Sequence, residues 1–326
     1  MVTACADAGG ADSKSNRQKT GISPEAFMSF SGGLKTIIVA TDLSGSSEAA
    51  LEYARKLAAA YGARIVMAHG IDPVEYADVD TVPVQVLTGL TEEARAVLDK
   101  LSGDLLREGI HSHSEIRQGA VAQMLLDVAR QYEAGLIVIG TKGMEGAGPV
   151  IVGAIAEQLV RLAPCPVLAV AADWNAGAFR PIPGGPVLLA MERNEASSAA
   201  MAIACSLAQT FRRPLLVLHA RTAAEAAENP DPCAATLEEF GVQSQGDFPV
   251  RCIVKDGNPA DAIVEGIAEN HPCILVAGVK RLSGTQGPHG TAFALLARSR
   301  VPVLCVPPEL TSAGDQPAAC ECAEVR

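Results

Sequence analysis

Short apolar runs, each closed by glycine or a polar residue, alternate along this chain with longer segments whose apolar residues recur every three or four positions. From residue 35 onward the alternation predicts a strand at Lys35–Thr41, closed by Asp42-Leu43-Ser44. A helix follows, carrying Ala49, Ala50, Leu51, Ala54, Leu57 and Ala58, with Ser46 or Ser47 as its cap. The next elements are a strand at Arg64–His69, a polar, proline-containing loop from Gly70 to about Leu90, and a charged amphipathic helix from Thr91 to Arg107. A third strand is expected near His113–Arg117, and a helix from Gly119 through Tyr132. A buried strand at Leu136–Ile139, a helix at Ile155–Leu162 and a last strand at Val167–Val170 complete the unit. Strand and helix alternate throughout, which demands a parallel sheet with right-handed crossovers.

The pattern then repeats. Residues 172–184 are rich in Gly and Pro and read as a linker. After them Val187–Glu192 parallels Ile37–Asp42, and Ser197 falls opposite Ser47. Leu215–His219 parallels Ile65–His69, and Gly257-Asn258-Pro259-Ala260 parallels Gly119–Ala122. Cys273–Gly278 parallels the strand ending in Gly140, and Val301–Val306 parallels the last strand. A period of about 140–150 residues is too long for a solenoid and means two copies of one domain, 33–171 and 185–308. The segments 1–30 and 309–326 lack periodicity and are expected to be a disordered leader and tail.

Composition narrows the functions open to such a chain. Hydrophobic residues make up 48% and aromatic ones only 4%, so the cores must be built from Ala, Val, Leu and Ile. The net charge of −11, without a basic run, argues against sequence-independent nucleic-acid binding. No apolar run approaches a membrane span of roughly 18 residues. The nine cysteines show no CxxC pair and no zinc spacing; they are expected to be reduced thiols, mostly small core residues.

The candidate chemistry lies after the fourth strand. In an open parallel sheet, ligands sit beyond the C-terminal strand ends, where strand order reverses. That crevice is flanked by Ala40-Thr41-Asp42 at the end of strand one and by Gly140 at the end of strand four. A glycine-bearing loop leads from Gly140 to the next helix. Glycine lets backbone approach an anion closely, and unpaired N–H groups at a helix start point at it. The spacing is Gly140, two residues, Gly143, nine residues, Gly153, which is neither the dinucleotide fingerprint nor the P-loop. From the residues alone, Asp42 serves equally well as a turn or cap carboxylate, and the glycines as packing residues.

In this position the spacing resembles the nucleotide-binding loop of the universal stress protein family. That pattern is Gly, two residues, Gly, nine residues, then Gly-Ser or Gly-Thr, a helix and a Pro-containing final strand. All three glycines match, but Ala154 stands where the family has a hydroxyl. The resemblance covers both halves and implies α/β architecture: two flavodoxin-like, Rossmann-like domains, each a five-stranded parallel sheet flanked by helices. It implies ATP, with or without Mg2+, in the first domain only. Asp42 would lie against the adenosine and Gly70 at a position facing the adenine. Ile139 and Ile155 would supply apolar contact, and Gly140, Thr141, Lys142, Gly143, Gly153 and Ala154 would lie at the phosphates. It further implies cytoplasmic stress response, a protein partner that senses the nucleotide, and at most slow ATP hydrolysis. The last strands would pair, within this chain or in a homodimer.

Departures from the pattern leave two other classes open. Ala154 removes a donor and Glu145 adds an anion; a hydrogen bond to a charged group is worth about 1.5–3 kcal/mol. In the second half Glu192 replaces Asp42 and Arg281 stands at the second loop glycine, which reads as a degenerate, structural copy. A scaffold without nucleotide is one alternative. An adenylyl- or phosphoryl-transfer enzyme is the other, for which Asp42 and Glu145 are the only nearby carboxylates. No catalytic or metal-binding residue is assigned. His69 and His219 end matching strands and suit packing or hydrogen-bonding roles, and Ser44, Ser46 and Ser47 suit capping.

Overall fold

The computed structural model describes residues 34–73, 84–141, 153–171, 184–192, 196–221, 232–233, 237, 249–279 and 290–308. The first half runs β1 (Thr36–Ala40), α1 (Gly45–Tyr61), β2 (Arg64–Ile71), α2 (Val84–Arg107), β3 (Ser112–Gln118), α3 (Val121–Gln131), β4 (Leu136–Thr141), α4 (Ala154–Leu162) and β5 (Val167–Ala171). The second runs β6 (Val187–Met191), α5 (Ser197–Thr210), β7 (Leu215–Arg221), β8 (Val250–Asp256), α6 (Pro259–Asn270), β9 (Ile274–Gly278), α7 (Thr291–Arg298) and β10 (Val303–Val306). The expected leader 1–30, the tail 309–326, nearly all of the linker, and Lys142, Gly143, Glu145 and Arg281 lie outside the described residues.

The strands form one ten-stranded sheet in the order β3-β2-β1-β4-β5-β10-β9-β6-β7-β8. Within each half the pairing is parallel, as expected of strand–helix alternation. The halves join where β5 and β10 pair antiparallel, with Leu168 opposite Leu304 and Val167 opposite Cys305. Each last strand would otherwise present a row of unpaired backbone groups. The remaining edges, β3 and β8, are only half-buried and carry His113, Glu115 and Arg117, and Arg251 and Lys255, as protected edges do.

Two apolar layers cover the sheet, and each is shared by both halves. One face packs α1, α2 and α5, with Tyr53, Leu57, Leu98, Met201 and Leu207 fully or almost fully buried. The other packs α3, α4, α6 and α7 through Leu126, Val128, Leu159, Ile263 and Leu295. Crossovers to the left and right of the strand-order reversal must lie on opposite faces, which explains the division. Alanine-rich α5 is buried on nearly every side, because small side chains let it sit close on β6 and β9. On this face Tyr61 meets Phe211 edge-on. On the opposite face the Arg161 guanidinium of α4 lies 5.6 Å from the Phe293 ring of α7.

The duplication extends to how the first helix of each half stops. Gly62 ends α1 with φ 67°, and the Ala63 N–H donates to Ala58 O. In the second half Arg212 takes φ 49° at the same place, and the Arg213 N–H donates to Ala208 O.

Three expectations need correction. Helix α2 begins at Val84, not Thr91, so the loop after Gly70 is shorter than expected. Thr91 looks like a helix start, but its hydroxyl donates to Leu87 O one turn back, inside the helix. The cap of α1 is Ser44 rather than Ser46 or Ser47, and Ser47 instead donates its hydroxyl to Ser44 O at 2.9 Å. The cysteines are not all free. Cys165, Cys205, Cys273 and Cys305 are buried thiols as expected, but Cys233 and Cys252 form a disulfide.

Candidate functional site

Strand order reverses between β1 and β4, and the crevice beyond their C-terminal ends is held open by local chemistry. The Thr41 N–H donates to Ala68 O, which carries β1 one residue past its last paired position. Asp42 then makes an Asx turn: Ser44 donates its N–H (3.0 Å) and its hydroxyl (2.6 Å) to Asp42 Oδ1. Leu43, between them, is forced into the left-handed region at φ 62°, and its N–H donates to Thr41 Oγ1. Thr41 Oγ1 in turn donates to Ser47 Oγ at 3.0 Å. His69 Nδ1–H donates to Thr41 O at 2.8 Å, so this histidine fixes the end of β1 as the sequence suggested.

These bonds set the charge of Asp42. Partial burial alone would raise its pKa, but the hydrogen bonds from Ser44 and Ser47 outweigh it and hold the carboxyl below its ordinary value. Asp42 is exposed and ionised, a hydrogen-bond acceptor at the mouth of the crevice. The spacing Asp42-Leu43-Ser44 was the available signal for this turn.

The glycines divide into two kinds. A Cβ on Gly140 would lie 2.3 Å from Ser46 O and 2.9 Å from Ser47 N, so glycine is needed there for α1 to cross the end of β4. Among the described residues, a Cβ on Gly153 would meet nothing within 4 Å. Gly153 is the exposed N-cap of α4, with φ −61° and ψ 147° and no side-chain cap, so the first N–H groups of that helix have no side-chain acceptor from the cap. Ala154 and Ile155 follow it, both exposed, Ile155 at 42%. Ile139, by contrast, is buried at 4% in the core. Thr141 extends β4 and directs its hydroxyl to Val170 O. Gly70 sits on the α3 side of the sheet, where Met124 and Val121 close over it; a Cβ would lie 2.8 Å from Met124 Cε.

In the second half the residues that would follow the Asp42 arrangement, 193–195, lie outside the described residues. Glu192 occupies the matching place, exposed, and its backbone carbonyl accepts from the Ser197 hydroxyl. Gly290 caps α7 and Thr291 is its first residue, so a hydroxyl stands here where the first half has Ala154.

A cleft of about 230 Å³ lies on the α1–α2 face beside the Asp42 turn, lined by Thr41, Leu43, Ser47, Met67, Val97 and Leu101. A trough of about 730 Å³ lies at the opposite end of the strands, bordered by Lys35, Arg64, His111 and Tyr132. Among the described residues no cluster of His, Cys, Asp or Glu could hold a metal ion, and no helix is long and apolar enough to cross a membrane.

Comparison with known proteins gives a consistent family. The profile of the universal stress protein family matches residues 33–171 and again 185–307. A universal stress protein of Mycolicibacterium smegmatis is 31% identical over 189 residues, 56% of this chain and 63% of its own length. One from Mycobacterium tuberculosis is 27% identical over 289 residues, 81% of this chain and 94% of its own. The crystal structure of a universal stress protein from Archaeoglobus fulgidus superposes with a TM-score of 0.69, covering 85% of this chain and 99% of that one; at 17% identity it shows a shared fold.

Proposed function

The chain belongs to the universal stress protein family, with two copies of its domain, and from that premise we propose that it is a stress-response protein holding ATP in the β1–β4 crevice of the first copy. The copies span 33–171 and 185–308. The observation that carries the proposal is the start of α4, without a side-chain cap or obstruction among the described residues, at the same end of the sheet as ionised Asp42. The residues present fit such a ligand. Helix N–H groups and the helix dipole favour the phosphates, and the Asp42 carboxylate accepts from ribose hydroxyls. Exposed Ile155 offers apolar contact. Ala40, Thr41 and Gly140 form the floor, and Thr141 continues it; Lys142 and Gly143, outside the described residues, are assigned to the phosphates by the family pattern alone. Gly70 belongs to the adenine end of the proposal through its backbone, its side-chain space being filled by Met124 and Val121. Mg2+, where it accompanies the nucleotide, is held by the phosphates. Cytoplasmic residence and a protein partner that reads the nucleotide state belong to the same proposal. A scaffold without nucleotide is the second reading, favoured by the missing hydroxyl at Ala154.

Calorimetric titration with ATP, AMP and adenosine separates the two. Ala154→Ser restores a donor at the helix start, so ATP should tighten by about 1–2 kcal/mol while adenosine is unchanged. Thr291→Ala, in the second copy, should leave ATP binding as it was. No binding by the native chain decides for the scaffold; a serine that improves all three ligands equally, or none, means that the phosphates do not sit on this loop and moves the scaffold reading ahead.

A further inference from the structure

Cys252 lies on the edge strand β8, paired in register with Val217 of β7. The equivalent residue of the first half is Ser114, which pairs with Met67 of β2. Ser114 faces Ser102 of α2, the helix that crosses over to its strand, with the two hydroxyls 3.4 Å apart. In the second half the same kind of contact, crossover to edge strand, is made by Cys233 and Cys252 as a disulfide, Cα–Cα 5.7 Å. Between crossover and edge strand, one copy therefore has a weak hydroxyl contact where the other has a covalent bond.

The remaining described cysteines do not share this character. Cys165, Cys205, Cys273 and Cys305 are each at most 3% exposed. Burial pushes the first two and Cys305 up to about 12 and Cys273 to about 11, so their thiolates are absent at neutral pH. Cys233 and Cys252 are only half-buried, at the margin of the sheet, where Cys252 and Leu237 pack against the rim of the core. Solvent-borne oxidants and thiols reach a bond at such a margin and not the interior ones.

We propose that Cys233 and Cys252 are a reversible redox site, a clasp between Cys233 and edge strand β8 that forms under peroxide and opens under a dithiol reductant. In closing, one thiolate attacks a peroxide oxygen and becomes a sulfenic acid while the O–O bond breaks and one water leaves. The second thiol displaces the sulfenic oxygen as a second water, so two thiols and one hydrogen peroxide give one disulfide and two waters. In opening, a dithiol forms a mixed disulfide, then expels it as its own cyclic disulfide, returning both protons to the cysteines. The site is independent of the nucleotide proposal and stands or falls apart from it.

The test uses the full chain with Cys5, Cys320 and Cys322 changed to serine, so that only the six core and clasp cysteines remain. After dithiothreitol, native-state iodoacetamide labelling mapped by mass spectrometry should modify Cys233 and Cys252 and spare Cys165, Cys205, Cys273 and Cys305. After hydrogen peroxide those two labels should be lost together and a Cys233–Cys252 peptide should appear without reductant. Closing should raise the melting temperature by several degrees and slow glutamyl-endopeptidase cleavage between the two cysteines several-fold. Cys252→Ser, the residue the first copy carries, should fold and abolish both redox effects. A disulfide that resists dithiothreitol in the folded protein overturns the proposal in favour of a permanent staple. Thiols that peroxide fails to join overturn it too, as does a melting temperature that still responds to peroxide in Cys252→Ser.

Discussion

Tyr61 and Phe211 occupy matching positions in the two copies, at the C-terminal end of the first helix, and they meet each other edge-on with ring centroids 6.4 Å apart. The pair lies where α1 and α5 meet. Burial raises the Tyr61 pKa, and its hydroxyl lies 3.5 Å from Ser206 Oγ in the other half. An edge-on aromatic pair contributes about 0.5–1.5 kcal/mol beyond its buried area. A double-mutant cycle of Tyr61→Ala and Phe211→Ala, read by urea unfolding, should return a coupling of that size. A coupling of zero would mean that the ring pair adds nothing beyond its buried area.

Two glycines of the crevice should answer substitution differently. Gly140→Ala places a methyl group against the backbone of Ser46, which cannot yield without moving α1. It should cost about 1–3 kcal/mol in urea unfolding whatever the ligand. Gly153→Ala meets no described residue and keeps an ordinary backbone angle, so it should leave stability within about 0.5 kcal/mol. Under the ATP proposal Gly153→Ala still weakens ATP, because its methyl group stands in the approach to the helix start.

Asp42 should confer a pH dependence of known sign. Its folded pKa is depressed, so the unfolded chain takes up the proton more readily. The stabilisation is complete above the ordinary carboxylate value of roughly 4 and is lost as pH falls toward the folded one. Asp42→Asn should therefore be less stable than the native chain at pH 7, by about 0.5–1 kcal/mol given screening of so exposed a group. The difference should vanish near pH 2–3. Equal differences at both pH values would show that shape, not charge, holds the turn.

Arg212 holds a left-handed conformation that the first copy gives to Gly62. For a residue with a Cβ this costs about 1–2 kcal/mol. Arg212→Gly should raise the urea midpoint by about 0.5–1 kcal/mol equivalent, the gain reduced by the extra freedom of glycine in the unfolded chain. Gly62→Arg should lower it by a similar amount.

Periodicity carried most of the architecture. Every strand of the first half lies within about two residues of its expected place, because buried parallel strands are apolar on both faces and bounded by polar residues. Asp42 and Gly140 could be placed together because their strands flank the reversal of strand order. What the pattern did not convey was competition for the same atoms. Thr91 looks identical as a cap and as a residue bonded back to Leu87. Gly140 looks identical as a ligand-approach glycine and as one required by Ser46. The Cys233–Cys252 bond spans 19 residues between elements, and nothing local announces it.

The β5–β10 joint has a further consequence that follows from mass action. Two separate chains that pair through their last strands come apart on dilution, because their association carries a concentration term. Here both strands belong to one polypeptide, and the partner's effective concentration is fixed by the tether between the halves. The pairing of Leu168 with Leu304 is therefore as complete in a scarce protein as in an abundant one. A substitution on one side of the joint is also made once, not twice. Tyr61 can keep its hydroxyl while Phe211 does without, and Asp42 can persist while its counterpart becomes Glu192.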